Sequence, residues 1–237
     1  MSRNRLPAVA SCIFALMVAL GASRPKRAQD AKTLYPSMAP LDQYLIPDRN
    51  AEIALARSAA PESISRDATI LTLGRHGYET AVEGKSGFVC LVERAWLSPV
   101  DSPEFWNPKI RSPLCFNPPA ARSILPIAYK RTEVALAGKS RDQIIDWTKA
   151  AYARKELPTL EPGAMCFMMS KAAYLTDDDD HNLAHLMFYA PLMDKAGWGA
   201  DVPNSPVILG EHGPPEPFTE FIVPVGKWSD GTPAPLP

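Results

Sequence analysis

Proline sets the limits of what this chain can fold into. Of its 237 residues, 25 are proline, about twice the usual share of roughly 5%. Each proline fixes its own φ and removes a backbone N–H donor, so it interrupts helices and central strands. They stand in pairs at Pro118-Pro119 and Pro214-Pro215 and at the ends of apolar runs. The pattern predicts short elements joined by long, ordered loops. Disorder, the other state rich in proline, does not suit a chain in which strongly apolar segments keep recurring and hydrophobic residues reach 46%.

Between those breaks the residues alternate in a readable way. Ala51 to Ala60 predicts a short helix, with Asn50 as its cap and Pro61 as its stop. Ala68–Leu73, Tyr78–Glu83 and Phe88–Trp96 read as three strands separated by turns at Gly74–Gly77 and Gly84–Gly87, and two glycine-bounded turns predict a meander. A proline-rich loop over 97–118 follows. Pro119 suits a first helical turn, and Pro126 splits the segment, leaving Ile127–Ala137 as a helix that Gly138 ends. Ser140-Arg141-Asp142-Gln143 has the form of a capping box. It opens a helix with Ile144, Ile145, Thr148, Ala151 and Tyr152 on one face. The last third returns to strands at Met165–Ser170, His185–Tyr189, Val207–Leu209 and Phe218–Val225. The expected fold is α+β: an antiparallel sheet of six to eight short strands, with two or three helices inserted between its halves.

The N-terminus has the layout of a secretory signal. Arg3 and Arg5 precede an apolar run from Leu6 to Leu20, and Gly21, Ala22 and Ser23 close it. The run falls short of the ~20 residues that a spanning helix needs. Arg24, Lys26 and Arg27 follow it, so an uncleaved anchor is the competing expectation. The organisation read from sequence is a signal peptide over 1–23, an extended leader over 24–50 and a single α+β domain over 51–237, in a periplasmic or secreted protein.

Cys12 lies inside the signal, where the apolar region mostly follows it; a lipoprotein cysteine would end that region. Cys90, Cys115 and Cys166 remain, an odd number, which in an oxidising compartment fits one disulfide and one free thiol. Any of three pairings can form, and Cys90–Cys115 closes the shorter loop around the proline-rich link. The competing reading has all three as small buried hydrophobes, since each sits in an apolar run.

Charge narrows the partners. The signal segment holds two of the 25 basic residues and none of the 26 acids, so the remainder has 23 against 26 and a formal charge of −3. No basic surplus is left to neutralise phosphates, which argues against nucleic acid. The expected partner is a small ligand or an envelope component of unknown identity.

Familiar catalytic signatures fail on spacing. Gly138-Lys139-Ser140 and Gly84-Lys85-Ser86 resemble the end of a P-loop, but Glu133 and Glu79 stand where the earlier glycine is required. The one suggestive constellation is Asp177–Asp180 followed by His181 and His185. Two imidazoles four apart on a helix share a face and suit zinc or another borderline metal, with Glu211 and His212 as further ligands if the fold brings them near. The competing reading makes the acidic run a solvated loop and His185 a hydrogen-bonded structural residue at the head of a strand. Phe105-Trp106-Asn107-Pro108 is either the lining of a ligand cleft or a plug beneath the long loop. His76 in the first hairpin turn reads as an exposed turn residue.

Several segments also look familiar in combination: Gly87–Arg94, Pro113–Phe116, Met168–Lys171, His185–Pro191 and Phe221–Val225. Together they resemble a group of uncharacterised exported bacterial proteins, over roughly residues 50–228. The resemblance implies a bacterial, exported setting and carries no activity. Ala184 stands where that group leads one to expect proline. The leading expectation is therefore a non-catalytic exported domain that binds a small ligand or partner. The alternatives are a metal-dependent hydrolase built on His181 and His185, and an envelope structural protein held by its N-terminus.

Overall fold

The computed structural model describes residues 35–178 and 182–236. The expected signal peptide and His181 lie outside them. In chain order the elements are α1 (Arg49–Arg57), α2 (Glu62–Ser65), β1 (Thr69–Gly74), β2 (Gly77–Val82), β3 (Val89–Glu93), β4 (Ser112–Phe116), α3 (Pro118–Ser123), α4 (Leu125–Leu136), α5 (Arg141–Ala153), β5 (Met165–Met168), β6 (His185–Pro191), β7 (Ile208–His212) and β8 (Phe218–Pro224). The eight strands form one sheet in the order β2-β1-β3-β4-β5-β6-β8-β7. Every neighbouring pair is antiparallel except β1 and β3. The fold is thus the expected α+β type, with α3 to α5 inserted between β4 and β5. Among the described residues no helix is long and apolar enough to cross a membrane.

The expected meander is the exception. β3 does not pair with β2; it lies on the other side of β1 and runs parallel to it. The link from β2 crosses the start of β1, where Lys85 N and Ser86 N donate to Asp67 O at 2.9 and 3.1 Å and Thr69 N donates to Phe88 O at 2.9 Å. Contact there is so close that a Cβ on Gly84 would lie 2.2 Å from Thr69 N. A turn sequence specifies a reversal; it does not say on which side of the hairpin the next strand lands.

Side chains alternate across the sheet and make two layers. One face presents Leu71, Leu91, Leu114, Phe116, Cys166, Met168, Met187, Tyr189 and Phe218, packed against α3, α4 and α5 through residues such as Ala120, Ile127 and Ala151. The other presents Ile70, Cys90, Val92 and Cys115 beneath Ala56 of α1. Further along that second face, Ala190 and Phe221 pack with Ala200. Cys90 and Cys115 stand directly opposite in the β3/β4 register and are bonded, S–S 2.03 Å, while Cys166 is buried and free. The pairing favoured on loop length is the one formed.

Helix ends follow local chemistry. Ser140 and Gln143 make both bonds of the capping box, and Gly138 turns the chain at φ +74° after α4. For α1 the cap is Asp48, whose Oδ1 accepts from Asn50 N at 2.8 Å, rather than Asn50 itself. The residues before α1 belong to the core as well. Tyr44 is fully buried, packs at a tilt against Trp96 with ring centroids 4.9 Å apart and donates its hydroxyl proton to Trp106 O at 2.7 Å. A buried ion pair ties this corner together. Arg94 donates to Glu52 Oε1 at 2.8 Å, to Tyr44 O at 2.7 Å and to Val92 O, and Glu52 Oε1 also accepts from Leu73 N at 3.1 Å.

Candidate functional site

The face of the sheet that meets α4 is not filled completely. A cavity of about 380 Å³ lies there, walled mainly by apolar side chains that include Leu114, Ile127, Met168, Met187 and Ile222. Besides the phenol of Tyr189, six ionisable residues share its lining: Glu93, Arg131, His185, Glu211, Glu216 and Glu220. Strand alternation accounts for three of them. Glu93 follows Leu91 on β3, His185 precedes Met187 on β6, and Glu220 sits between Phe218 and Ile222 on β8, each at the parity that points toward the helices. Arg131 comes from the middle of α4, one turn beyond Ile127 and Ala128. Glu211 comes from β7, and Glu216 from the loop before β8.

The carboxyls are held in a setting that disfavours their charge. Glu93, Glu211 and Glu220 keep part of their surface accessible, as side chains facing a hollow do, yet protein packs round them. Burial, opposed by the Arg131 charge and reinforced by Glu211, raises Glu93 to about 8. Burial and the charge of Glu216 raise Glu211 to about 7. Glu216 and Glu220 are pushed up as well, first by burial and, for Glu220, then by Glu211 and Glu93. β3 and β8 are not neighbours in the sheet order, yet Glu93 and Glu220 line the same cavity.

Arg131 is the other unusual group. It is 4% exposed, and its partner Glu216 is equally buried, but Nη1 and Glu216 Oε1 are 3.6 Å apart, too long for a hydrogen bond. Arg131 Nε and Nη2 and Glu216 Oε1 have no hydrogen-bond partner among the described residues. A buried polar group left unpaired is costly, and in a native protein it calls for something to complete it, such as a water, an ion or a ligand.

His185 stands at the head of β6, opposite Pro224 of β8 and Met168 of β5. It is in a strand, so the helix face that a His181/His185 metal pair requires does not exist at this end. Its Nδ1 lies 2.7 Å from Leu183 O. A carbonyl only accepts, so Nδ1 carries the proton and Nε2 holds a lone pair. Burial keeps the ring below the usual histidine range, hence neutral. Glu211 lines the same cavity as His185. His212 does not; it is exposed at the end of β7, with Nδ1 2.9 Å from Thr219 Oγ1. Among the described residues no three His, Cys, Asp or Glu side chains converge as a metal-binding group.

The remaining sequence candidates have structural roles. Asp177 is bound by the Tyr35 and Tyr174 hydroxyls, both at 2.5 Å, by Lys109 Nζ at 2.7 Å and by Asn107 Nδ2 at 3.2 Å. These donors, Lys109 foremost, hold its carboxyl well below the usual range. Asp177 is thus a staple between the 35–41 segment and the long loop, not a solvated member of an acidic run. Phe105 and Trp106 plug the core with Tyr44 and Ile144. They also border a larger hollow of about 720 Å³ under residues 35–41, whose charged lining residues, Lys139, Arg141 and Asp142, are not buried.

Sequence reasoning missed Glu93, Arg131, Glu216 and Glu220. For Glu93 and Glu220 a signal existed: each is an acid at an inward position of a strand otherwise read as apolar. Compared with protein-family models, curated proteins and solved structures, the chain gives no match.

Proposed function

We propose that this chain is a small-ligand-binding domain and that the cavity between the sheet and α4 is its binding site. The observation that carries the reading is Arg131. It is a desolvated guanidinium with two unpartnered nitrogens in the wall of a mostly apolar hollow, among four carboxyls. Apolar walls with a few convergent polar groups, in a volume within the ~300–1,000 Å³ of typical ligand sites, are what such a site requires. The Cys90–Cys115 bond supports an exported setting in an oxidising compartment.

A thermal-shift screen of small organic molecules tests the reading. Binders are expected to raise the Tm of the wild-type protein and to lose that effect in Ala128→Phe, which fills the cavity. Binders that act equally on both proteins occupy another place and overturn it.

A second reading, a metal-dependent hydrolase, draws on one observation: His185, neutral and with a free lone pair on Nε2, shares the cavity with Glu211. Near-stoichiometric zinc, manganese or iron in protein purified without affinity tags, lost in His185→Ala, would favour it. Metal content unchanged in that variant would end it.

A further inference from the structure

The charges of the cavity specify more than the presence of a ligand, if the binding reading above is accepted. An arginine receives a carboxylate best along the edge formed by Nε and one terminal nitrogen, which match the two oxygens. Two surface pairs among the described residues use that edge with one carboxylate oxygen on each nitrogen. Arg122 Nε and Nη2 hold the two oxygens of Glu161 at 2.9 and 2.7 Å, and Arg154 Nε and Nη2 hold those of Glu156 at 2.6 and 3.0 Å. On Arg131 the same edge, Nε with Nη2, is empty. Those nitrogens are closed off from solvent, so an oxyanion reaches them only if the guanidinium turns. Such a turn would break the 3.6 Å pair with Glu216 but no hydrogen bond among the described residues.

Beside this cation stand four carboxyls with little to neutralise them. Glu93, Glu211 and Glu216 each feel the Arg131 charge, and Glu220 feels the other three carboxyls. A bare carboxylate ligand would satisfy Arg131 and leave the carboxyls held in their protonated form. A bare ammonium would satisfy the carboxyls and leave the Arg131 edge unmade. A ligand carrying both charges on adjacent atoms meets both needs, and the Leu, Ile and Met walls take an apolar body.

We infer that the cavity binds a free amino acid with an apolar side chain, its carboxylate on the Nε/Nη2 edge of Arg131 and its ammonium among Glu211, Glu216 and Glu220.

Calorimetric titration with three matched probes decides this: phenylalanine, phenethylamine, which lacks the carboxylate, and 3-phenylpropionate, which lacks the ammonium. Phenylalanine is expected to bind at least 10-fold more tightly than either fragment. Arg131→Met should erase its advantage over phenethylamine, and Glu211→Gln should shrink its advantage over 3-phenylpropionate. The comparison of probes on the wild-type protein stands even if a variant folds poorly. Equal binding of phenylalanine and one fragment overturns the zwitterion assignment, as does binding of none of the three while screened compounds still compete for the cavity. If no compound of any class is lost on Ala128→Phe, the binding reading fails instead.

Discussion

Arg94 and Arg131 are both buried beside a glutamate, and they differ in what they leave unmade. Arg94 spends its donors on Glu52, Tyr44 O and Val92 O, whereas Arg131 keeps two nitrogens unpartnered. Removing one partner of a satisfied buried pair strands the other charge, at a cost of about 3–5 kcal/mol. Arg94→Met should therefore lower stability by that order in chemical denaturation. Arg131→Met should cost clearly less, because Glu216, already pushed toward its neutral form, can take up a proton. Equal losses would mean that Arg131 is a structural pair like Arg94. Gly210 makes a different contribution at this scale. A Cβ there would lie 2.6 Å from Glu220 Oε1 and 3.3 Å from both Glu220 Cγ and the backbone oxygen of Glu220. Gly210→Ala is expected to swing the Glu220 carboxyl aside and weaken ligand binding, while Tm changes little because the end of a long side chain yields easily. An unfolded Gly210→Ala protein would show instead that the backbone contact dominates.

Elements were legible where the chemistry is local. The capping box at Ser140, the glycine that ends α4 and the strand at Phe218 each follow from a few neighbouring residues, and each is present. The strand order near the N-terminal hairpin was not legible, because the choice between the two sides of β1 is made by the crossing at Gly84 and Asp67, a contact between segments distant in sequence. The site was legible in halves. Glu93 and Glu220 betray themselves by parity, but Arg131 in α4 and Glu216 in a loop acquire meaning only when folding brings them to the same hollow. At this scale the Cys90–Cys115 bond joins two neighbouring strands on the α1 side of the sheet, opposite the cavity. Replacing both cysteines by serine should cost about 2–4 kcal/mol and leave ligand affinity within a few-fold. A collapse of binding without loss of fold would place the bond in the site's machinery.

For the molecule as a whole, the carboxyls of the cavity couple stability to pH. Burial pushes Glu93 up to about 8 and Glu211 up to about 7 in the folded state, against an ordinary 4.5. A raised folded value means that the native state holds its protons more tightly, so this contribution is full below pH 4.5 and is lost as pH rises through 7 and 8. His185 acts in the opposite sense. Its lowered folded value costs stability only as pH falls below its ordinary 6.5, so it drops out above that point. The expected result is a Tm that declines from pH 6.5 to 8.5 and declines less in Glu93→Gln. A flat profile would show that the carboxyls are solvated well enough to ionise freely.

The alternation of the strands carries one more consequence. On β3, Val92 packs in the layer beneath α1 while Glu93 faces the cavity; on β8, Phe221 and Glu220 divide in the same way. Adjacent letters of the chain thus answer to separate masters, one to cohesion and the next to recognition. A descendant of this protein could change its ligand by rewriting every second residue of those two strands, and the layer on the far side of the sheet would not register the change.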